Sequence, residues 1–180
     1  MRGRPHSECY WVRPGAFLAG EYPAGVTEAA GRRRLARLLS AGLDSFVDLT
    51  APGELPPYTP LLQAEAELRG LMPRHRRFVI PDHGVPAQPA SMDAIVTHID
   101  AELAGGRGVH VHCRAGIGRT GMVVACWLVA QGAGPDEALA QLAEWWRGVG
   151  KSWRHERSPE TDQQVEFVKT WAAGRSGGPR

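Results

Sequence analysis

Cysteine is scarce in this sequence of 180 residues, and long apolar runs are absent. The three cysteines, Cys9, Cys113 and Cys126, are odd in number and far apart, so they support neither a disulfide framework nor a four-cysteine zinc site. The longest apolar stretch, Met122 to Ala130, is too short to span a bilayer, and the first residues lack the apolar run of a signal peptide. We therefore expect a cytoplasmic protein without a membrane span.

An excess of charge of one sign is also lacking. The formal net charge is +2, which gives no global reason to expect a nucleic acid or an anionic membrane as a partner. Basic residues do cluster in two segments, RRRLAR at 32–37 and RGLMPRHRR at 69–77. We interpret both clusters as solvated faces, and recruitment of an anionic partner is the alternative.

Internal repeats are absent as well, and the length fits one domain with its own core. We assign residues 1–173 to this domain. The segment GRSGGPR at 174–180 is the one low-complexity stretch, and we expect it to be a disordered tail.

Apolar periodicity indicates a chain in which strands and helices alternate. Period-two patterns and β-branched residues predict strands at 16–20, 45–50, 76–81 and 108–112. Period-3.6 patterns predict helices at about 27–42, 61–71, 91–104, 119–132, 135–149 and 159–173. The order predicts an α/β fold with a central, mostly parallel sheet of four to five strands flanked by helices.

The segment HCRAGIGRTG, residues 112–121, lies between a predicted strand and a predicted helix. Five residues separate Cys113 from Arg119, and two glycines among them relieve side-chain crowding. A loop of this length can curl so that successive backbone N–H groups point at one centre, which suits a phosphate dianion. We predict a phosphate-binding loop made of Arg114, Ala115, Gly116, Ile117, Gly118 and Arg119.

The residues at both ends of this loop indicate nucleophilic chemistry. The positive end of the following helix favours a bound anion and the thiolate form of Cys113, so Cys113 is the candidate nucleophile. Arg119 carries a planar fork that can hold two phosphoryl oxygens. The hydroxyl group of Thr120 can donate to the sulfur and help Cys113 leave.

These residues resemble the signature H-C-x5-R-[S/T] of the cysteine-based protein tyrosine and dual-specificity phosphatase superfamily, and the resemblance extends over residues 10–173. It implies a tyrosine-phosphatase-like fold and phosphate ester hydrolysis without a metal or another cofactor. It also implies that Cys113 is phosphorylated on sulfur, that Arg119 binds phosphate and that His112 supports the loop.

The family also uses an acid on a mobile loop about thirty residues before the cysteine, where this sequence has IPDHGVP at 80–86. Asp82 lies there among prolines and a glycine, a composition typical of a hinged loop. The resemblance therefore implies that Asp82 protonates the leaving oxygen. A turn residue after a proline is the alternative interpretation.

The segment SPETDQQVEF at 158–167 is similar to the loop that positions the hydrolytic water in tyrosine phosphatases. Gln164 falls on the later glutamine of that loop, whereas Glu160 stands where those enzymes carry another glutamine. The alternative is a helix N-terminus capped by Ser158 with Pro159 in its first turn. The two interpretations are compatible.

Three rival interpretations fit parts of the sequence. GIGRTG at 116–121 also matches G-x-G-x-x-G, but a dinucleotide-binding unit needs a second strand with an acidic end, which does not follow here. A metal site made of His110, His112 and Cys113 is disfavoured, because strand alternation puts His110 and Cys113 on opposite faces and no second cysteine is close in sequence. A non-catalytic phosphate-binding module would need neither the nucleophile nor the acid.

We predict a cysteine-dependent protein phosphatase of the tyrosine or dual-specificity class. Its expected partner is a phosphoprotein or phosphopeptide carrying phosphotyrosine, and phosphoserine and phosphothreonine stay open. Because Arg114 adds a positive charge inside the loop, a phosphoinositide or the 5′ end of RNA is the alternative substrate.

Overall fold

Five strands and six helices are present in residues 3–176, which are the residues that the computed structural model describes. The strands are β1 (Cys9–Arg13), β2 (Phe17–Gly20), β3 (Leu43–Asp48), β4 (Arg74–Arg77) and β5 (Gly108–His112). The helices are α1 (Glu28–Ser40), α2 (Thr59–Glu67), α3 (Pro89–Ala104), α4 (Gly118–Ala130), α5 (Pro135–Arg147) and α6 (Asp162–Ser176).

The strands form one sheet in the order β1-β2-β5-β3-β4. Only β1 is antiparallel to its neighbour, and the other three pairs are parallel. The prediction of a mostly parallel sheet flanked by helices is therefore confirmed. Four strands end at the same edge of the sheet, which is where open α/β sheets bind ligands.

Alternation along β5 gives the sheet two different buried faces. Val109 and Val111 point to the larger core, which α3, α4, α5 and α6 complete. His110 and His112 point to the opposite face, where they contact the rings of Phe46 and Tyr58 in a smaller core beneath α1 and α2. Both faces of β5 are buried, so this strand holds the residues that follow it in a fixed position.

Two strands differ from the predictions. β1 was not predicted, and it pairs with β2 through a ladder that is irregular between Trp11 and Arg13. β4 covers 74–77 rather than 76–81, because the paired residues of this edge strand are the charged ones, as is common at sheet edges. The apolar residues that suggested the later range follow it, and the N–H groups of Phe78 and Ile80 donate to the carbonyls of Asp48 and Leu49.

Helix α6 begins and ends later than predicted. It starts at Asp162, because the Thr161 hydroxyl group accepts a hydrogen bond from the N–H of Gln164 and caps the helix; Ser158 is not the cap. Residues 174–176 of the predicted tail continue the helix, and 177–180 lie outside the described residues. α3 starts at Pro89 rather than 91, since proline is favoured in a first helical turn.

The helices of the fold differ in length and in apolar content. None of those between residues 3 and 176 combines the length and the apolar character that crossing a bilayer requires.

Candidate active site

The predicted phosphate loop lies at the carboxyl edge of the sheet, directly after the central strand β5. Cys113 follows the strand and is 3% exposed, and α4 begins at Gly118. Cys113 and the loop residues other than Gly116 line a cavity of about 90 Å³ together with Asp82, His83, His155, Glu160 and Gln164. The structure thus brings together the predicted nucleophile, the predicted acid and the predicted glutamine.

The curl of the loop is held from outside by donors to its carbonyl groups. The N–H of Tyr22 donates to Arg114 O (3.1 Å), the Lys151 ammonium group donates to Ala115 O (3.0 Å), and the Ser158 hydroxyl group donates to Ile117 O (2.7 Å). No backbone N–H of residues 114–117 donates to another residue of the described chain. These N–H groups, with those of the first turn of α4, are therefore available to an anion.

Two glycines let the loop pack against its surroundings. Gly116 has a φ of 72°, and a Cβ atom there would lie 2.4 Å from the carbonyl carbon of Gly20 at the end of β2. At Gly118 a Cβ atom would lie 2.6 Å from Oε1 of Gln164. Gly116 requires glycine both for its backbone conformation and because the nearby atoms are backbone, whereas a side chain at Gly118 would require the Gln164 amide to move.

Arg119 is the largest fully buried side chain near the loop, at 2% exposure. Its Nη1 and Nη2 atoms donate to the two carboxylate oxygens of Glu54 at 2.9 and 2.8 Å, and Nη2 also donates to Asp82 Oδ1 at 2.7 Å. The bidentate pair holds the guanidinium plane. The pKa of Glu54 is lowered to about 2, chiefly by the hydrogen bond from Arg119, so this carboxyl group is ionised at neutral pH.

Glu54 was missed in the sequence. It lies in the proline-rich loop after β3, where its type and spacing match no motif. The available signal was topological: β3 is the parallel neighbour of β5, so a carboxylate shortly after β3 is placed beside the loop after β5. Only knowledge of the strand order makes this signal usable.

Asp82 lies across the cavity on the loop after β4, and its side chain is 48% exposed. The same loop contacts the 158–164 segment at three points: the Thr161 hydroxyl group donates to His83 O (3.4 Å), Gln164 Nε2 donates to Gly84 O (3.1 Å), and His83 Nδ1 lies 3.4 Å from Glu160 Oε2. His83 has a φ of 56°, which is uncommon for a residue other than glycine. The predicted acid loop and the predicted glutamine loop therefore form one connected wall.

The side-chain amide of Gln164 is buried in this wall, and both its oxygen and its nitrogen form hydrogen bonds there. Its Oε1 accepts hydrogen bonds from the N–H groups of Glu160 (3.1 Å) and Thr161 (3.2 Å). Gln164 thus fixes the segment that carries Glu160, and the positioning of a water by Gln164 stays a prediction.

The two remaining supporting residues are buried beside the loop. His112 shares a hydrogen bond of 2.7 Å with the Tyr58 hydroxyl group, and burial lowers its pKa to about 4, so the ring is neutral at pH 7. The hydroxyl group of Thr120 is buried and has no hydrogen-bond partner within the described residues. The hydrogen bond from Thr120 to the sulfur of Cys113 therefore stays a prediction.

Solved structures with the same fold include two phosphatases. Tk-PTP in its active form has a TM-score of 0.71 at 23% identity, and the alignment covers 92% of this chain and 97% of that chain. Kinase-associated phosphatase with its catalytic cysteine replaced by serine has a TM-score of 0.74 at 19% identity, with 99% and 100% covered. At these identities the likeness establishes the fold.

Sequence comparisons reach further than the fold. A protein of Cupriavidus necator named as a tyrosine-protein phosphatase is 29% identical over 150 residues, which cover 68% of this chain and 52% of the relative. The chain thus spans about half the length of that relative. Residues 22–133 match the model of a family described as "Tc-R-P: Polymorphic toxin system, DSP-PTPase phosphatase". This match covers more than half of the chain and includes Glu54, Asp82 and the whole phosphate loop, and the chain therefore belongs to the DSP-PTPase phosphatase family.

Proposed function

We propose that the protein hydrolyses phosphate monoesters of phosphoproteins, phosphotyrosine among them, through a cysteinyl-phosphate intermediate. The observation that carries the proposal is a single small cavity that holds a thiol, a guanidinium group and a carboxyl group at the open end of a curled loop. In this proposal the loop N–H groups and Arg119 stabilise the phosphoryl group, and the sulfur of Cys113 attacks its phosphorus atom. Asp82 donates a proton to the leaving oxygen and later accepts one from water.

The proposed reaction has two steps. The thiolate of Cys113 forms a bond to phosphorus while the bond to the ester oxygen breaks, and Asp82 gives its proton to that oxygen. Water then attacks phosphorus, Asp82 takes the proton of the water, and the thiolate leaves as inorganic phosphate forms. The charge on the transferred group stays within reach of the loop N–H groups and Arg119 throughout.

Substrate binding requires Arg119 to change one partner. Nη2 of Arg119 now donates to Asp82, while its Nε has no hydrogen-bond partner in residues 3–176. A bound phosphoryl group would compete with Asp82 for Nη2, and Glu54 would keep the guanidinium group in place. Without this contact, the Asp82 carboxyl group is free to face the leaving oxygen, which is the position that the proposed proton transfer requires.

The proposed compartment is the cytoplasm. Cys9, Cys113 and Cys126 are all free and buried, and a thiol nucleophile is maintained in a reducing compartment.

The test is turnover of p-nitrophenyl phosphate and of a phosphotyrosine peptide in the presence of EDTA and dithiothreitol. We expect wild-type turnover in EDTA and none for Cys113→Ser. The matched control is Cys126→Ser, which changes a buried cysteine in the middle of α4, away from the cavity, and should keep the turnover of its folded fraction. Full activity of Cys113→Ser would contradict the proposal, and phosphopeptide binding without turnover by wild type would indicate a binding module.

A further inference from the structure

A second cavity adjoins the phosphate pocket on the side of Arg114. This side groove has a volume of about 320 Å³ and is lined by Tyr22, Val26, Leu55 and Pro56 among others. Arg114 lines both the side groove and the phosphate pocket. A single ligand can therefore place a phosphate in the pocket and an apolar group in the groove.

The far end of the side groove leads to a cluster of arginines on α1. Arg34 lines the side groove and also a third cavity of about 270 Å³, which Arg33 and Arg37 line with it. The charge of Arg34 is compensated by Glu21 at 2.6 Å. Arg33 and Arg37 are exposed, lie four positions apart on one helix face, and form no ion pair within the described chain.

The charges near the phosphate pocket differ from those at this far end. Carboxylates of Asp82 and Glu160 line the pocket itself, and the Arg114 side chain lies 3.6 Å from Glu54. A second phosphate group close to the first would therefore meet carboxylates before it met a free cation. Among the arginines that line the three cavities, only Arg33 and Arg37, beyond the apolar groove, form no ion pair within the described residues.

We propose that these three cavities form one peptide-binding surface, which selects phosphoprotein segments with an apolar residue beside the phosphorylated residue and acidic residues farther along the chain. The apolar residue enters the side groove and the acidic residues pair with Arg33 and Arg37. The phosphate pocket, the apolar groove and the arginine cavity follow one another along the surface. A peptide suits this order, because an extended chain presents successive side chains at regular spacing. The proposal rests on the proposed phosphatase function and names its substrate class.

The test compares matched phosphotyrosine peptides with wild type and two double variants. The first peptide carries a leucine next to the phosphotyrosine and three glutamates beyond the leucine, and the second has glutamines in place of the glutamates. Each peptide is made in two versions, with these residues on the N-terminal or on the C-terminal side of the phosphotyrosine. Arg33→Ala with Arg37→Ala removes the proposed contacts. Arg76→Ala with Arg147→Ala is the control, since it removes the same charge from exposed arginines that line none of the three cavities.

We expect wild type to prefer the glutamate peptide in one direction and the Arg33/Arg37 variant to lose about three- to tenfold in kcat/KM on that peptide only, as for two exposed ion pairs. The loss should shrink at high salt because such pairs are screened. Turnover of p-nitrophenyl phosphate should be the same for all three proteins. Equal losses on both peptides, or an equal loss in the control variant, would overturn the proposal.

The two proposals fail in different ways. If wild type turns over neither substrate, the phosphatase proposal is wrong. The peptide surface is then tested by measuring the affinity of Cys113→Ser for the two peptides, and this affinity must depend on Arg33 and Arg37 in the same way. If instead phosphate release from phosphoinositide in vesicles depends on these arginines and peptide hydrolysis does not, the surface binds a membrane and the peptide proposal is wrong.

Discussion

At the scale of single residues, the site is organised around one buried cation. Arg119 is held between Glu54, which takes both ends of its fork, and Asp82, which takes one Nη atom. In the proposed reaction Glu54 keeps its contacts with Arg119 when a phosphate binds, whereas Asp82 gives up its contact and transfers the proton. The two carboxylates differ because Asp82 lies on the exposed side and Glu54 lies behind the guanidinium group.

Glu54→Gln should therefore impair both catalysis and folding. The amide keeps the shape of the side chain but removes the bidentate anionic partner of the buried guanidinium group and leaves only Asp82, which is half exposed. Loss of one partner from a buried ion pair is strongly destabilising. We expect kcat/KM for p-nitrophenyl phosphate to fall by about tenfold or more and the melting temperature to fall. Glu67→Gln on the exposed face of α2 is the control and should change neither. Wild-type kcat/KM in Glu54→Gln would show that Arg119 needs no such support.

Asp82→Asn should separate the proton transfer from the rest of the reaction. The amide cannot protonate a leaving oxygen, so the variant should lose about a hundredfold or more with a phenyl phosphate whose leaving group is basic. It should lose little with p-nitrophenyl phosphate, whose leaving group departs without a proton. Rates over a series of phenyl phosphates measure this difference. A loss of the same size across the series would assign Asp82 a binding role only.

What could be predicted at this scale depended on distance along the chain. Cys113 and Arg119 were found because five residues separate them and the pattern is local. The contact between Glu54 and Arg119 spans 65 positions, and no local pattern records it. Asp82 was predicted as the acid from its position in a family-like loop, a role that stays a prediction, and its ion pair with Arg119 was not predicted.

At the scale of elements, the phosphate loop is shaped by segments far from it. β2 contributes the backbone that Gly116 approaches, the turn after α5 contributes Lys151, and the segment before α6 contributes Ser158. These contacts keep the loop carbonyls outward, so the cavity exists before a substrate binds.

Gly116→Ala tests whether activity depends on the curl of the phosphate loop, and Gly132→Ala is the matched control. Both glycines have positive φ, of 72° and 105°, so both variants lose stability through backbone strain of roughly 1–2 kcal/mol. Only Gly116 meets another backbone, whereas a Cβ atom at Gly132 meets nothing within 4 Å. We expect Gly132→Ala to keep full activity and the folded fraction of Gly116→Ala to lose nearly all of it, measured as kcat per mole of folded protein. Equal activities would mean that the loop tolerates reshaping.

The elements whose boundaries were predicted well are those in which the local residue pattern determines the secondary structure. All of β5 and the first ten residues of α4 are buried, and both elements were placed within one or two residues. β1 and β4 lie at the two edges of the sheet, where pairing with a neighbour decides the strand and the residues of β4 are charged. Their existence or extent follows from tertiary contacts that a local pattern does not contain.

At the scale of the whole molecule, burial favours the neutral form of four histidines, namely His98 and the three considered next. Burial lowers the pKa of His6 and of His112 to about 4 and lowers the pKa of His110 well below its ordinary value. The unfolded chain takes up protons at these residues below about pH 6.5, and the folded protein does not until lower pH. Their contribution to stability is therefore complete above about pH 6.5 and is lost as the pH falls towards 4.

The free energy of unfolding should accordingly drop between pH 6.5 and pH 4.5, and His110→Leu should make this drop smaller. Neither ring nitrogen of His110 has a hydrogen-bond partner in the described chain, so leucine removes a titrating group at little cost in stability at pH 7. Urea unfolding at several pH values measures the effect. Val109→Ala, next to it on β5, is the control and should lower stability by the same amount at every pH. A steeper pH dependence in His110→Leu would contradict the assignment.

The central claim concerns the sulfur of Cys113, and trapping the phosphoenzyme tests it most directly. Wild type is mixed with p-nitrophenyl phosphate, quenched within one turnover, digested and analysed by mass spectrometry. The account predicts one added phosphoryl group on the peptide that contains Cys113, and none on that peptide from Cys113→Ser. A phosphoryl group on a different residue, or steady turnover of Cys113→Ser without a phosphoenzyme, would contradict it.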